Sequence, residues 1–337
     1  MRAYPLRAIG TIMNEDVPYP ECKDGWCIVQ VKAAGICSSD IPRIFTKGTY
    51  HFPTVPGHEF SGVVHEVGDK KDSKLIGKHV GVFPLIPCKE CELCKQKKYE
   101  MCKNYDYIGS RRDGAFAEYV AVPVWNLIEL SDDIPFEEAA MMEPLAVSLH
   151  AVKRLNISKK DSLAIIGTGM IAFAAAQWAI MKGAEVTILG RSDGKKKIAD
   201  KISGLKYLKM SDNTEQYDKV LEAVGSNEAI SQAVDITKAG GKICLMGNPE
   251  GDILFAQDTY WKILRRQLEV TGTWNSSYEK DKKCDWSEVR DALAGQQIDT
   301  EPLISHRFNC NELIDALELM REHKEPYCKV MTIWDKE

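Results

Sequence analysis

The sequence has no excess of positive charge: 44 Lys and Arg face 49 Asp and Glu, a formal net charge of −5. A chain so balanced lacks the basic footprint needed for broad binding to nucleic acid or an anionic membrane surface. It also lacks internal repeats and low-complexity tracts. The opening residues MRAYPLRAIGTIM carry no uninterrupted apolar core of the kind a secretory signal needs. One run, Leu163 to Met181, is apolar enough to raise the question of a membrane helix. It contains Gly167, Thr168, Gly169 and Gln177, and strand and helix patterns follow it, so it is read as part of a soluble fold. The expected location is the cytoplasm.

Cysteine, by contrast, is plentiful. There are eleven, and four are crowded into Cys88, Cys91, Cys94 and Cys102. In a 337-residue chain such clustering points to metal and not to a disulfide framework. The spacing is C-x2-C-x2-C-x7-C. Four soft thiolates in one loop close a tetrahedral site and leave no position for substrate, so the site is read as structural zinc. An iron–sulfur cluster is the alternative. Its motif wants Cys-Pro three residues on, whereas here the gap is seven and Lys103 follows.

The length favours two domains. The first third is rich in short strand patterns: Cys27 to Ala33, Ser61 to Val67, Lys78 to Phe83 and Phe116 to Val122. Gly-rich turns between them suggest a small, partly closed barrel. The texture changes near Glu143. Leu163 to Ile166 reads as a buried strand, followed by a glycine turn and a helix to about Lys182 that ends at Gly183. Glu185 to Leu189, Lys219 to Val224 and Gly241 to Gly247 read as later strands, which predicts an α/β fold with a parallel sheet. The tail predicts an amphipathic helix, Asn311 to Glu322, and a strand over Cys328 to Trp334.

Gly167-Thr168-Gly169-Met170-Ile171-Ala172 gives G-x-G-x-x-A between a predicted strand and a predicted helix. Glycines there allow a tight turn and close approach of a pyrophosphate to the helix N-terminus. An NAD site expects Asp or Glu at the end of the second strand to hold the ribose 2′-hydroxyl. Here the residues are Gly190, Arg191, Ser192 and Asp193. The missing carboxylate and the guanidinium of Arg191 favour NADP over NAD, with Lys195 and Lys196 adding attraction. The other reading makes Arg191 a solvated turn residue and gives Asp193 the acid's work.

Three separated pieces supply a mixed donor set: Cys37 in GICSSD, His58 with Glu59 in PGHEFSG, and Glu143 in MMEPLAV. Alone, each has an ordinary reading as a buried thiol, a polar core pair or a helix start. Together they offer one thiolate, one imidazole and one carboxylate, a set that leaves zinc an exchangeable fourth position.

The order GICSSD, GHEFSG, the four-cysteine lobe, MEPLAVSLH and GTGMIA resembles the zinc-containing medium-chain dehydrogenase/reductase family across nearly the whole chain. Within it the polyol dehydrogenase group is most similar. The segments IPRIFTKGTYHFPTVPGHEFSG, YDYIGSRRDGAFAEY and KILRRQLEVTGTWNSSY look like its galactitol-phosphate branch. The resemblance implies a GroES-like β-rich catalytic domain over 1–143, a Rossmann doubly wound parallel-sheet domain over 144–275, and a segment 276–337 returning to the first. It implies two zinc ions per chain, with Cys37, His58 and Glu143 as catalytic ligands and Glu59 as alternate ligand or neighbour. Ser39 stands at the family's relay hydroxyl, and Asp40 is expected to be structural. The residue five after the cysteine, a histidine in some members, is Pro42 here. A second relay step must then use water, His51 or another group.

For the substrate, Arg111 and Arg112 in GSRRDG would hold a sugar phosphate, or else pair with nearby carboxylates. Arg43, Trp274 and Asn275 lie in segments resembling the family's pocket. The implied activity is reversible oxidation of a polyol or polyol phosphate by a homodimer or homotetramer. The alternatives are an alcohol or butanediol dehydrogenase on an uncharged alcohol, and a non-catalytic nucleotide-binding regulator.

Overall fold

Eleven residues, Trp26–Ile36, form the strand around which the first part of the molecule is built. The structure is a computed structural model and describes residues 1–334. It divides into two compact units: Met1–Glu143 with the residues from Ser277 onward, and Pro144–Ser276.

In the first unit, Cys27, Ile28, Val29, Val31, Ala33, Ala34 and Ile36 are all buried, so both faces of the Trp26–Ile36 strand lie in protein. Along one edge it pairs antiparallel with Glu59–Val67. Its other edge is shared between Tyr119–Pro123, opposite residues 26–30, and Lys329–Ile333, opposite residues 33–36. His79–Val82, Leu127–Glu129 and Ile304–Asn309 complete a seven-stranded sheet. The ladder at Tyr119 starts later than the apolar pattern predicts, because Phe116 is used elsewhere: its carbonyl accepts from Tyr4 N at 2.9 Å. Phe60, Phe116, Leu317 and Val330 lie in the core of this unit.

The second unit holds six parallel strands: Ser162–Ile166 (β1), Glu185–Gly190 (β2), Leu205–Lys209 (β3), Tyr217–Glu222 (β4), Thr237–Leu245 (β5) and Glu269–Gly272 (β6). Their order is β3-β2-β1-β4-β5-β6. Strand order reverses beside β1, the arrangement of the Rossmann doubly wound sheet, whose ligands lie at the carboxyl ends of the strands at that switch point. Helix Met170–Met181 (α1) follows β1 and is buried almost all round. Its alanine-rich sequence combines high helix propensity with small side chains that let it lie close to the sheet. Gly183, at φ +83°, turns the chain towards β2. The apolar run that raised the question of a membrane helix is thus split between β1 and α1. Among the described residues no helix is long and apolar enough to cross a membrane.

Candidate active site and cofactor turn

Cys37 follows directly on the Trp26–Ile36 strand, and His58 directly precedes the antiparallel strand beside it. The register sets Gly35 opposite Glu59, which brings Cys37, His58 and Glu59 to one sheet end. Their ligand atoms all lie within 4.8 Å of one another. Gly35 is required there: a Cβ would stand 2.6 Å from Glu59 Oε2 and 3.3 Å from Lys329 Cδ. Glu59 is buried, and its Oε2 accepts from the buried ammonium of Lys329, which also donates to Ile36 O at 3.2 Å. Asp40, fully buried, accepts from Cys37 N at 3.1 Å and from Arg43 Nη1 at 2.7 Å. Its Oδ1 lies 3.5 Å from His58 Nδ1, which has no hydrogen-bond partner among the described residues. The Ser39 hydroxyl donates to Cys37 Sγ at 3.2 Å.

Glu143, in the first turn of the helix Met142–Leu155, is buried and accepts from Tyr107 Oη at 3.4 Å. The Tyr107 ring meets the His58 ring edge-on, centroids 5.7 Å apart. Glu143 is therefore linked to His58 through Tyr107, whereas Glu59 is grouped directly with Cys37 and His58. Burial pushes the Glu143 carboxyl up to about 7, with Glu59 adding and His58 and Lys329 opposing. Burial lowers His58, but Asp40 and Cys37 more than reverse it. A buried cluster with this much negative character suits a cation. Thiol, imidazole and carboxylate are the donor types of an open zinc site, and Asp40 lies on the Nδ1 side of the His58 ring.

Cys88, Cys91, Cys94 and Cys102 also present ligand atoms within 4.8 Å of one another. Cys102 Sγ is 3.4 Å from Cys88 Sγ, and all four are free thiols. Cys88 Sγ accepts the Cys91 N–H at 3.4 Å, and Cys102 Sγ accepts the Cys88 N–H at 3.3 Å. Backbone N–H groups of Lys103 and Cys94 draw the Cys91 thiol down to about 6. Amides aimed at sulfur in this way stabilise thiolates, and the cluster fits a structural zinc.

The residues proposed for substrate separate. Arg112 pairs with Asp106, and Arg43 is committed to Asp40. Among the described residues Arg111 makes no hydrogen bond to a carboxylate; its guanidinium lies between the rings of Tyr50 and Tyr105, 4.3 and 4.2 Å from their centroids. It donates to Tyr105 O at 2.7 Å and Tyr50 Oη at 3.3 Å, while its buried Nε has no partner. His51 faces Pro53 O at 3.1 Å and Arg111 O at 3.0 Å with its two ring nitrogens, bracing two loops. In the other unit Trp274 is exposed, and Asn275, at φ +55°, accepts from Ser276 N at 2.8 Å.

There, the β1–α1 turn has the form a dinucleotide requires. Gly167 sits at φ +118°, a conformation open to few residues but glycine. Gly169 caps α1, and a Cβ built on it meets nothing within 4 Å, so the Met170 and Ile171 amides border open space. Thr168 flanks them. At the end of β4, the buried Glu222 accepts from Val224 N and Gly225 N, each at 2.7 Å, and fixes the neighbouring loop. Arg191, Ser192 and Lys196 are exposed after β2, and Ser192 Oγ accepts from Gly194 N. Asp193 is paired with Lys209 at 2.8 Å.

Nothing local in the sequence marks Tyr107, Lys329 or Glu222. Each is a single residue in an ordinary strand or loop, and only the pairing of distant segments gives it a role.

Comparison with known proteins places these features in a family. Residues 23–132 match the model for the alcohol dehydrogenase GroES-like domain, and residues 170–294 match that for zinc-binding dehydrogenase. Galactitol 1-phosphate 5-dehydrogenase of Escherichia coli K12 is 33% identical over 310 residues, covering 88% of this chain and 90% of its own. The crystal structure of galactitol-1-phosphate dehydrogenase from Escherichia coli superposes with a TM-score of 0.90 at 32% identity, covering 99% of this chain and 100% of that one. A protein from Sinorhizobium meliloti 1021, solved with NADP bound, gives a TM-score of 0.89 at 28% identity, covering 98% of each chain.

Proposed function

The chain belongs to the zinc-containing medium-chain dehydrogenase/reductase family, and on that premise we propose that it reversibly oxidises a secondary alcohol of a polyol or polyol phosphate to the ketose, with NADP preferred over NAD. The observation that carries the reading is the convergence of Cys37, His58 and Glu59 at one buried sheet end.

Cys37, His58 and Glu143 would hold the catalytic zinc, with Glu59, which lies directly beside Cys37 and His58, as the alternate ligand. When bound, that zinc supplies a Lewis acid that lets an alcohol lose its proton near neutral pH. The protein's own residues do the rest. Asp40 orients His58 through Nδ1. Lys329 neutralises Glu59, and Tyr107 steadies Glu143. Ser39, half-buried beside the exposed Ser38, takes the substrate's proton outward. His51, with both nitrogens facing carbonyls, is not free to continue that path, so the next acceptor is solvent. The Gly167–Ile171 turn binds the cofactor pyrophosphate, and Arg191, Ser192 and Lys196 receive the 2′-phosphate. The Cys88–Cys102 lobe holds the second zinc. The enzyme is expected to work as a cytoplasmic homo-oligomer, a dimer or tetramer.

Arg111 is the cation left to meet a substrate phosphate, and the likeness to a galactitol 1-phosphate enzyme supports that choice. The pairing of Arg112 and Arg43 with carboxylates favours the second reading, an uncharged polyol or diol. Initial rates with NAD and NADP across polyols and their phosphates decide between them. A phosphate preference lost in Arg111→Leu supports the first reading. Equal rates with and without phosphate overturn it.

A further inference from the structure

The end of β2 has no room for a side chain. A Cβ built on Gly190 lies 2.1 Å from Tyr207 Oη, 2.8 Å from Tyr207 Cζ and 2.9 Å from Thr168 Cγ2. Tyr207 must give up a hydrogen bond to swing aside. It is a ladder residue of β3, opposite Ile188, and its hydroxyl donates to Ser192 O at 2.5 Å. Thr168 belongs to the cofactor turn itself. Position 190 is where a dinucleotide site of this topology places the acid that reads a ribose 2′-hydroxyl. The next carboxylate, Asp193, is ion-paired with Lys209, which stands opposite Gly190 in the register. One acid is thus opposed by volume and the other already has a partner, while Arg191 between them is exposed.

We infer that Tyr207 is a cofactor-specificity residue: its ring bars a carboxylate from position 190, and its hydroxyl holds the 190–193 turn so that Arg191 faces a 2′-phosphate. The inference rests on the NADP preference proposed above and names the residue that enforces it. Tyr207 lies on a different strand from the acid's position and from the glycine turn. It acts on the cofactor through Gly190 and Ser192, which makes it a positioning residue.

The test uses full-length, zinc-loaded protein as wild type, Gly190→Asp, Tyr207→Ala, the double variant, and Gly190→Asp with Tyr207→Phe. Melting temperature without nucleotide and Kd for NAD and NADP are measured on each. Gly190→Asp alone should melt lower and bind both cofactors more weakly. Tyr207→Ala alone should lose NADP affinity about tenfold, the worth of one well-placed hydrogen bond to a charged group, with little change for NAD. Adding Tyr207→Ala to Gly190→Asp should restore melting and tighten NAD about tenfold over Gly190→Asp, reversing the preference. The Phe double variant loses the hydroxyl, the nearest atom, but keeps Cζ at 2.8 Å, and should recover only part of what the Ala double variant does.

Gly190→Asp melting with wild type and binding NAD as tightly as the Ala double variant would overturn the inference. So would a Phe double variant that recovers as well as the Ala one. A wild type that binds NAD more tightly than NADP fails the NADP reading and the Arg191 half of the inference. The melting cycle still decides separately whether Tyr207 excludes side chains at 190.

Discussion

The ammonium of Lys329 and the carboxylate of Glu59 form an ion pair with both side chains shut off from solvent, beside the Cys37 and His58 ligand atoms. A buried pair is strongly coupled to its environment: removing one partner leaves the other charged in a place water cannot reach.

Lys329→Met should therefore cost about 3–5 kcal/mol of stability, whereas Lys329→Met with Glu59→Gln should recover much of the loss. Chemical denaturation of the two variants checks this. Equal losses in both would mean that packing around Lys329, and not its charge, holds the sheet end together.

Cys37→Ala should leave the fold intact and abolish turnover, and zinc content should fall from two ions per chain to about one. Metal analysis and circular dichroism on the same preparation give the answer. A variant that retains two zincs would remove Cys37 from the ligand set.

Cys88→Ser should behave in the opposite way. A closed four-thiolate site contributes folding energy directly, so melting should fall by roughly 5–10 °C while the remaining zinc stays at the catalytic cluster. Thermal melts with and without a chelator measure it.

Arg191→Ala should raise the KM for NADP by about 10–100-fold and leave that for NAD nearly unchanged, since only the former carries a 2′-phosphate to pair. A parallel rise for both cofactors would make Arg191 a structural turn residue.

Asp218 carries a pH signature. Hydrogen bonds from the Ser162 hydroxyl and amide, with Lys238 nearby, hold its carboxyl at about 2, below the ordinary 3.8. A depressed acid stabilises the fold above its unfolded value, and that contribution fades as pH falls from about 4 towards 2. Asp218→Asn should cost about 1 kcal/mol at pH 7, a modest figure because the pair is half-exposed. The gap from wild type should narrow as the pH is lowered through that window, as followed by urea titrations.

Much of the architecture is legible because it rests on local pattern. The cysteine spacing falls inside one loop, and the glycine turn sits between a strand and a helix that each announce themselves. Strand β3 is harder: in Leu205–Lys209 the apolar residues are interleaved with Lys206 and Lys209, and nothing local marks it as a strand. Single residues are harder still. Lys329 reads as an ordinary charge at a strand start, and Tyr207 as one tyrosine among twelve. Their surroundings come from strand pairing across long separations, which no window of sequence contains.

Lys329 and Glu59 are 270 residues apart, with the whole second unit between them. The order of synthesis follows from this. A growing chain presents Cys37, His58 and Glu59 early, but their sheet end lacks both the Lys329–Ile333 strand and its compensating cation until the Rossmann unit has been made. The first unit can complete its sheet, and offer a finished metal cradle, only after that. Zinc delivered to the nascent chain would meet donors still open to water and to wrong partners. The buried ion pair at this centre therefore forms only after the second unit has been made, whereas the four-cysteine lobe is contained in one short loop.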